Sequence, residues 1–128
     1  MTSLISIYFG GVLTIFMAIF HTQFYKLFKW DADYRNITAI NRKIFYTIHF
    51  ALLLLFFGLG FLTIFYAHEL SLCVGISFGI NIIISLFWLW RAIWQIIYFK
   101  GKIMHYVLIG FFFMLFLTYL IPLLIKLA

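Results

Sequence analysis

Four apolar stretches, over about residues 3–25, 44–66, 71–94 and 103–125, fill nearly all of this 128-residue chain. A helix that crosses the hydrocarbon core of a bilayer needs about 20 mostly apolar residues, and each stretch is long enough. Segments such as Phe50–Leu62 (FALLLLFFGLGFL) are continuously apolar, which excludes the alternating pattern of a membrane β-barrel strand. Backbone groups in hydrocarbon must pair within their own segment, so each stretch is read as a helix. With 67% hydrophobic and 9% charged residues, little is left for a separate soluble domain. Residues 1–128 are therefore read as a single transmembrane domain. Its connections near 66–71 and 99–103 are short, which forces consecutive spans to run antiparallel. The expected fold is all-α, an integral membrane four-helix bundle of up-down-up-down topology.

The formal net charge is +6, but the cations sit at the span boundaries rather than on a solvated face. That distribution excludes a nucleic-acid partner and points to membrane lipids, particularly anionic ones. The first loop and its edges hold Lys26, Lys29, Arg35, Arg42 and Lys43, and the third connection holds Arg91, Lys100 and Lys102. Elsewhere only Lys126 is basic, giving eight cations against one. The positive-inside rule then puts loops 26–43 and 99–103 in the cytoplasm and both termini outside. Tyr25, Trp30, Trp88, Trp90, Trp94, Tyr98 and Tyr106 fall near the same boundary, as an aromatic belt would. Met1–Gly11 lacks the basic start of a cleavable signal, so the first span is expected to stay. The expected location is a bacterial inner membrane.

Loop 26–43 is the only substantial polar segment, expected as irregular structure or a short interfacial helix, with Asn41 as N-cap of the second span. Small residues mark where helices can approach closely. They include Gly10 and Gly11, Gly58 and Gly60, Gly110, and a Gly75-x-x-x-Gly79 pair assigned to the third span. The lone cysteine, Cys73, excludes an internal disulfide and any cysteine-based metal cluster, and it reads as a small buried apolar residue.

Polar residues inside spans are costly and so mark candidate sites. Ser77, Asn81, Ser85, Trp88 and Gln95 share one face of the third span, with Arg91 at its border. Asn81 is expected near mid-membrane. This face either supplies interhelical hydrogen bonds or lines a ligand cavity. His21, His49 and His105 are expected at one level near the inner boundary, close to Arg91 and Gln95. Three imidazoles from three spans are candidates for a metal site, and two of them for haem ligation. The same layer also suits a quinone or a lipid headgroup, with Trp88 or Trp94 stacking on a ring. The spacing matches no Glu-x-x-His metal pattern, and no nucleophile triad, phosphate-cradling glycine loop or dinucleotide motif is present.

Two local patterns, Asn41-Arg42-x-x-Phe45 and Trp88-x-x-Arg91-x-x-x-Gln95-x-x-Tyr98-Phe99, together with the four spans, resemble a group of short bacterial four-span membrane proteins. The resemblance covers roughly the second and third spans and implies no activity. The functional expectation is a protein that acts by binding, as a subunit or accessory of a membrane complex or as a homo-oligomer. The alternatives are a redox-linked protein holding quinone, haem or metal, and a small oligomeric transporter.

Overall fold

A computed structural model describes residues 1–128. The chain is all-α, and four of its helices are long and apolar enough to cross a membrane: α1 (Thr2–Thr22), α4 (Ala39–Phe65), α6 (Ile76–Tyr98) and α7 (Ile103–Leu127). Shorter helices α2 (Phe24–Leu27), α3 (Trp30–Asp33) and α5 (Ala67–Leu72) fill the connections. The bundle is built around α1, which packs along both α4 and α7, while α6 packs along α7. α1 is accordingly the most buried span and α4 the least. Large apolar side chains such as Leu54, Phe65 and Ile76 stay more than three-quarters exposed. Such a surface calls for hydrocarbon or an apolar partner around it.

Between α4 and α6 the gap is closed by rings rather than by backbone approach. Phe56 lies 5.5 Å from Trp88, and Trp88 stacks on Phe112 of α7 at 5.9 Å with 17° between planes. The glycines that admit close contact all lie at the faces of α1. A Cβ on Gly10 would meet Thr118 Oγ1 at 2.6 Å, and one on Gly11 would meet Ile64 Cγ1 at 2.8 Å. Gly60 abuts the backbone and side chain of Ile15. The Gly75-x-x-x-Gly79 expectation is corrected: Gly75 precedes α6 with φ +56°, and Gly79 faces open space, as do Gly58 and Gly110.

Polar pairs hold the spans in register where sequence reading had marked nothing. Tyr119 of α7 sits at 0% exposure, its hydroxyl 3.0 Å from Thr63 Oγ1 of α4 and 3.4 Å from Thr14 Oγ1 of α1. One phenol thus links three helices. Nearer the bundle end, Pro122 lacks the N–H that would bond the Thr118 carbonyl in a regular helix. Ser6 of α1 fills that vacancy, its hydroxyl donating to Thr118 O at 2.6 Å.

The second connection is more than a tight turn. α5 ends at Cys73, a non-glycine residue in the left-handed region (φ 56°), and α6 begins only at Ile76, five residues later than the expected third span. In loop one, α2 and α3 are separated by Lys29 in the left-handed conformation. A 3₁₀ turn (Tyr34–Asn36) then folds the loop back onto α4. Trp30 stacks on Tyr34 at 5.3 Å, and Arg42 Nε donates to Tyr34 O at 3.1 Å. Burial pushes the Tyr34 phenol above its usual range, and nearby Tyr46 and Asp33 act in the same direction. Thr38, not Asn41, is the N-cap of α4: its Oγ1 accepts from the Asn41 backbone N–H at 3.4 Å. Asn41 already lies within the first turn.

Candidate functional site

The polar face of α6 divides into two halves with different work. Its first half is structural. Asn81 is 0% exposed and its Nδ2 donates to Leu70 O at 2.8 Å, with Cys73 Sγ at 3.5 Å. Leu70 lies in the last turn of α5, whose carbonyls have lost their helical partners. Asn81 therefore caps the break before α6 from within the second turn of that helix. Ser77 works on the same turn, accepting from Val74 N at 3.0 Å and donating to Val74 O at 2.7 Å. Ser85 Oγ and Asn81 Oδ1 are buried without a partner, and nothing in the structure explains them. Trp88 is core, 1% exposed between Phe56 and Phe112, so it is neither a belt residue nor free to stack on a ligand. Trp94 is occupied as well, stacked on Tyr98 at 4.1 Å.

The second half of the face meets open space. Here the C-terminal ends of α1 and α6, the start of α7 and the first part of loop one surround a cleft of about 580 Å³. Its polar lining is Arg91, Gln95, Lys100, Lys102 and His105, and its apolar wall includes Phe20, Phe24, Phe28, Trp30 and Phe99. Arg91 and Gln95 are one helical turn apart on α6, which brings their side chains together. The Arg91 guanidinium donates through Nη1 to Gln95 Oε1 at 3.1 Å. An arginine only donates, so this bond fixes which end of the amide is oxygen. Gln95 Nε2 is then the donor to His105 Nδ1, 3.2 Å away on α7. His105 consequently carries its hydrogen on Nε2. Arg91 also stands over Phe112 at 4.5 Å and Phe99 at 5.5 Å, within cation–π range.

Neither of the other two candidate histidines enters this cleft. His21 is buried, and its Nδ1 donates to Met17 O at 2.8 Å. Because a carbonyl can only accept, His21 holds its hydrogen on Nδ1, the opposite tautomer to His105. His49 lines a separate cavity with Thr22, Tyr25, Trp30 and Tyr46. The Phe24 ring lies 4.2 Å from His21 and 6.2 Å from His49, filling space that a shared ion would need. No three side chains among His, Cys, Asp and Glu converge closely enough to hold a metal ion. The expected three-histidine site is thus not assembled. Of the candidates, the structure brings together Arg91, Gln95 and His105, and leaves His21, His49, Asn81 and Trp88 elsewhere.

Searches against family models, curated proteins and solved structures gave no match. The chemistry of the cleft therefore rests on its own residues. It offers fixed donors and aromatic walls. The chain's three carboxylates lie outside its lining, and the sole ion pair, Arg35 to Asp31 at 3.1 Å, is in exposed loop one. Lys100 and Lys102 belong to the short α6–α7 link, where Gly101 takes φ +122°, a value that favours glycine. The sequence could have flagged this link as part of the site: two lysines flank a glycine one residue after a span. The aromatic wall of loop one carried no such signal, because its residues read equally well as interfacial anchors.

Proposed function

We propose that this chain is an integral membrane protein of the bacterial inner membrane that acts by binding, as a small subunit of a membrane complex or as a homo-oligomer. Loops 26–43 and 99–103 are cytoplasmic and both termini are outside in this reading, with the spans alternating in direction. The cleft at the basic end is the binding site. The observation that carries the proposal is the Arg91–Gln95–His105 chain of hydrogen bonds. It fixes three polar groups at one edge of the bundle and leaves Arg91 without a charged partner. The cleft contains donors to hold a ligand but no carboxylate, serine or cysteine to attack one.

The test is purification of the full chain in mild detergent, followed by native mass spectrometry. A retained small molecule or partner that is lost in Arg91→Ala supports the reading. Turnover of a substrate by the purified monomer defeats it. A second reading, a quinone with its ring among Phe24, Phe28 and Trp30 and a carbonyl oxygen on Gln95 or His105, draws on the aromatic wall. Organic extraction of the purified protein distinguishes it, since a stoichiometric quinone in the extract favours that reading.

A further inference from the structure

The cleft does not end at its polar lining. A second groove of about 300 Å³ runs along the lipid-facing seam between α1 and α7. It is lined only by apolar side chains, among them Phe16 and Met17 of α1 and Val107 and Phe111 of α7. The two spaces share Phe20, Met104 and Leu108 as walls, so they lie side by side within reach of a single elongated molecule. One end of such a molecule lies among Arg91, Lys100, Lys102, Gln95 and His105. The other lies in a strip of hydrocarbon.

The charge at the polar end is unbalanced. Arg91 has five N–H donors, and within the protein it donates only to the Gln95 amide oxygen. It is half-buried, on a membrane-spanning helix, where a cation offset only by the faces of Phe99 and Phe112 is costly. Lys100 and Lys102 add two more cations at the mouth. A guanidinium fork with adjacent ammonium groups matches the tetrahedral oxygens of a phosphate. His105 Nε2–H supplies a further neutral donor.

From this juxtaposition of a cationic cleft with an apolar seam, we propose that the site binds an anionic phospholipid, its headgroup phosphate held by Arg91, Lys100 and Lys102 and one acyl chain laid between α1 and α7. This deepens the binding function above and rests on it. Free phosphate shares the headgroup chemistry but would leave the seam unused.

The experiment is a lipid titration of the delipidated full chain in detergent, read by native mass spectrometry. The probes are long-chain phosphatidylglycerol, long-chain phosphatidylcholine, dihexanoyl phosphatidylglycerol and glycerol 3-phosphate. Long-chain phosphatidylglycerol should bind best, with a preference of about tenfold over phosphatidylcholine, whose phosphate offers the same oxygens but whose quaternary ammonium is repelled by Arg91, Lys100 and Lys102. Arg91→Ala should abolish that preference. The pair Lys100→Gln and Lys102→Gln, at exposed positions, should weaken it. Equal binding of the two long-chain lipids, or an unchanged preference in both variants, would overturn the proposal. Equal binding of long-chain lipid, dihexanoyl lipid and glycerol 3-phosphate would also overturn it, in favour of a free-phosphate site. In either case a different molecule retained through Arg91 would leave the binding function itself standing.

Discussion

Ser6 Oγ donates to Thr118 O at 2.6 Å, the carbonyl that Pro122 leaves without its helical partner. A proline in one membrane helix is thus matched by a serine on its neighbour, as hydrocarbon requires of any freed backbone group. Ser6→Ala should destabilise the bundle by about 1–3 kcal/mol, the cost of orphaning a buried acceptor. In a Pro122→Ala background, where the helix can bond its own carbonyl, the same change should cost much less. Unfolding of both variants in bicelles measures this. A serine effect of equal size in the two backgrounds would show that the bond is not compensating for the proline.

The two assigned histidine tautomers are opposite. Nitrogen NMR of labelled protein should find Nδ1 protonated in His21, which donates to Met17, and Nδ1 unprotonated in His105, which accepts from Gln95. Gln95→Leu should release His105 from this preference and leave His21 unchanged. A protonated Nδ1 in His105 would contradict the Arg91–Gln95–His105 orientation, and an unprotonated Nδ1 in His21 would contradict its bond to Met17.

Tyr119→Phe removes the hydroxyl that bridges Thr63 and Thr14. Thr14 retains its bond to Gly10 O at 2.8 Å, whereas Thr63 loses its only side-chain partner. The expected loss is about 0.6–1.7 kcal/mol, the range of interhelical side-chain bonds measured in membranes. Thr63→Ala should add little on top of Tyr119→Phe, and a fully additive double variant would argue against the pair.

Alanine at the glycines should separate packing from propensity. Gly60→Ala forces a Cβ against Ile15 and should cost about 1–3 kcal/mol by overpacking. Gly79→Ala meets nothing and should stabilise α6 by about 0.5–1 kcal/mol, the helical advantage of alanine. The order of the two melting temperatures relative to the parent decides the matter.

Topology is open to single-cysteine labelling, because native Cys73 is 1% exposed and should stay silent. Asp33→Cys should react with a reagent applied from the cytoplasmic side and Glu69→Cys with one applied outside. The reverse pattern would invert the protein and move the cleft to the other leaflet.

The sequence determined by itself that the chain is helical and that four of its helices are long and apolar enough to span a membrane. Those properties follow from local rules: apolar length and the demand that backbone groups in lipid pair within their own helix. It also marked Arg91, Gln95 and His105, since polar residues stand out against an apolar background. What it could not decide was which polar residues meet. Asn81 and Gln95 lie on the same face of α6, yet one caps the α5–α6 break and the other faces a cleft. Trp88 and Trp94 look alike in sequence, yet one is core and the other lies exposed on the bundle surface. Ser6 and Thr118 are 112 residues apart, and no periodicity relates them. Such pairings depend on which helix lies beside which. In a chain this uniformly apolar, every helix face is greasy enough for lipid or for a neighbour. The choice therefore falls to glycine contacts, ring stacking and a few hydrogen bonds that exist only once the helices have packed.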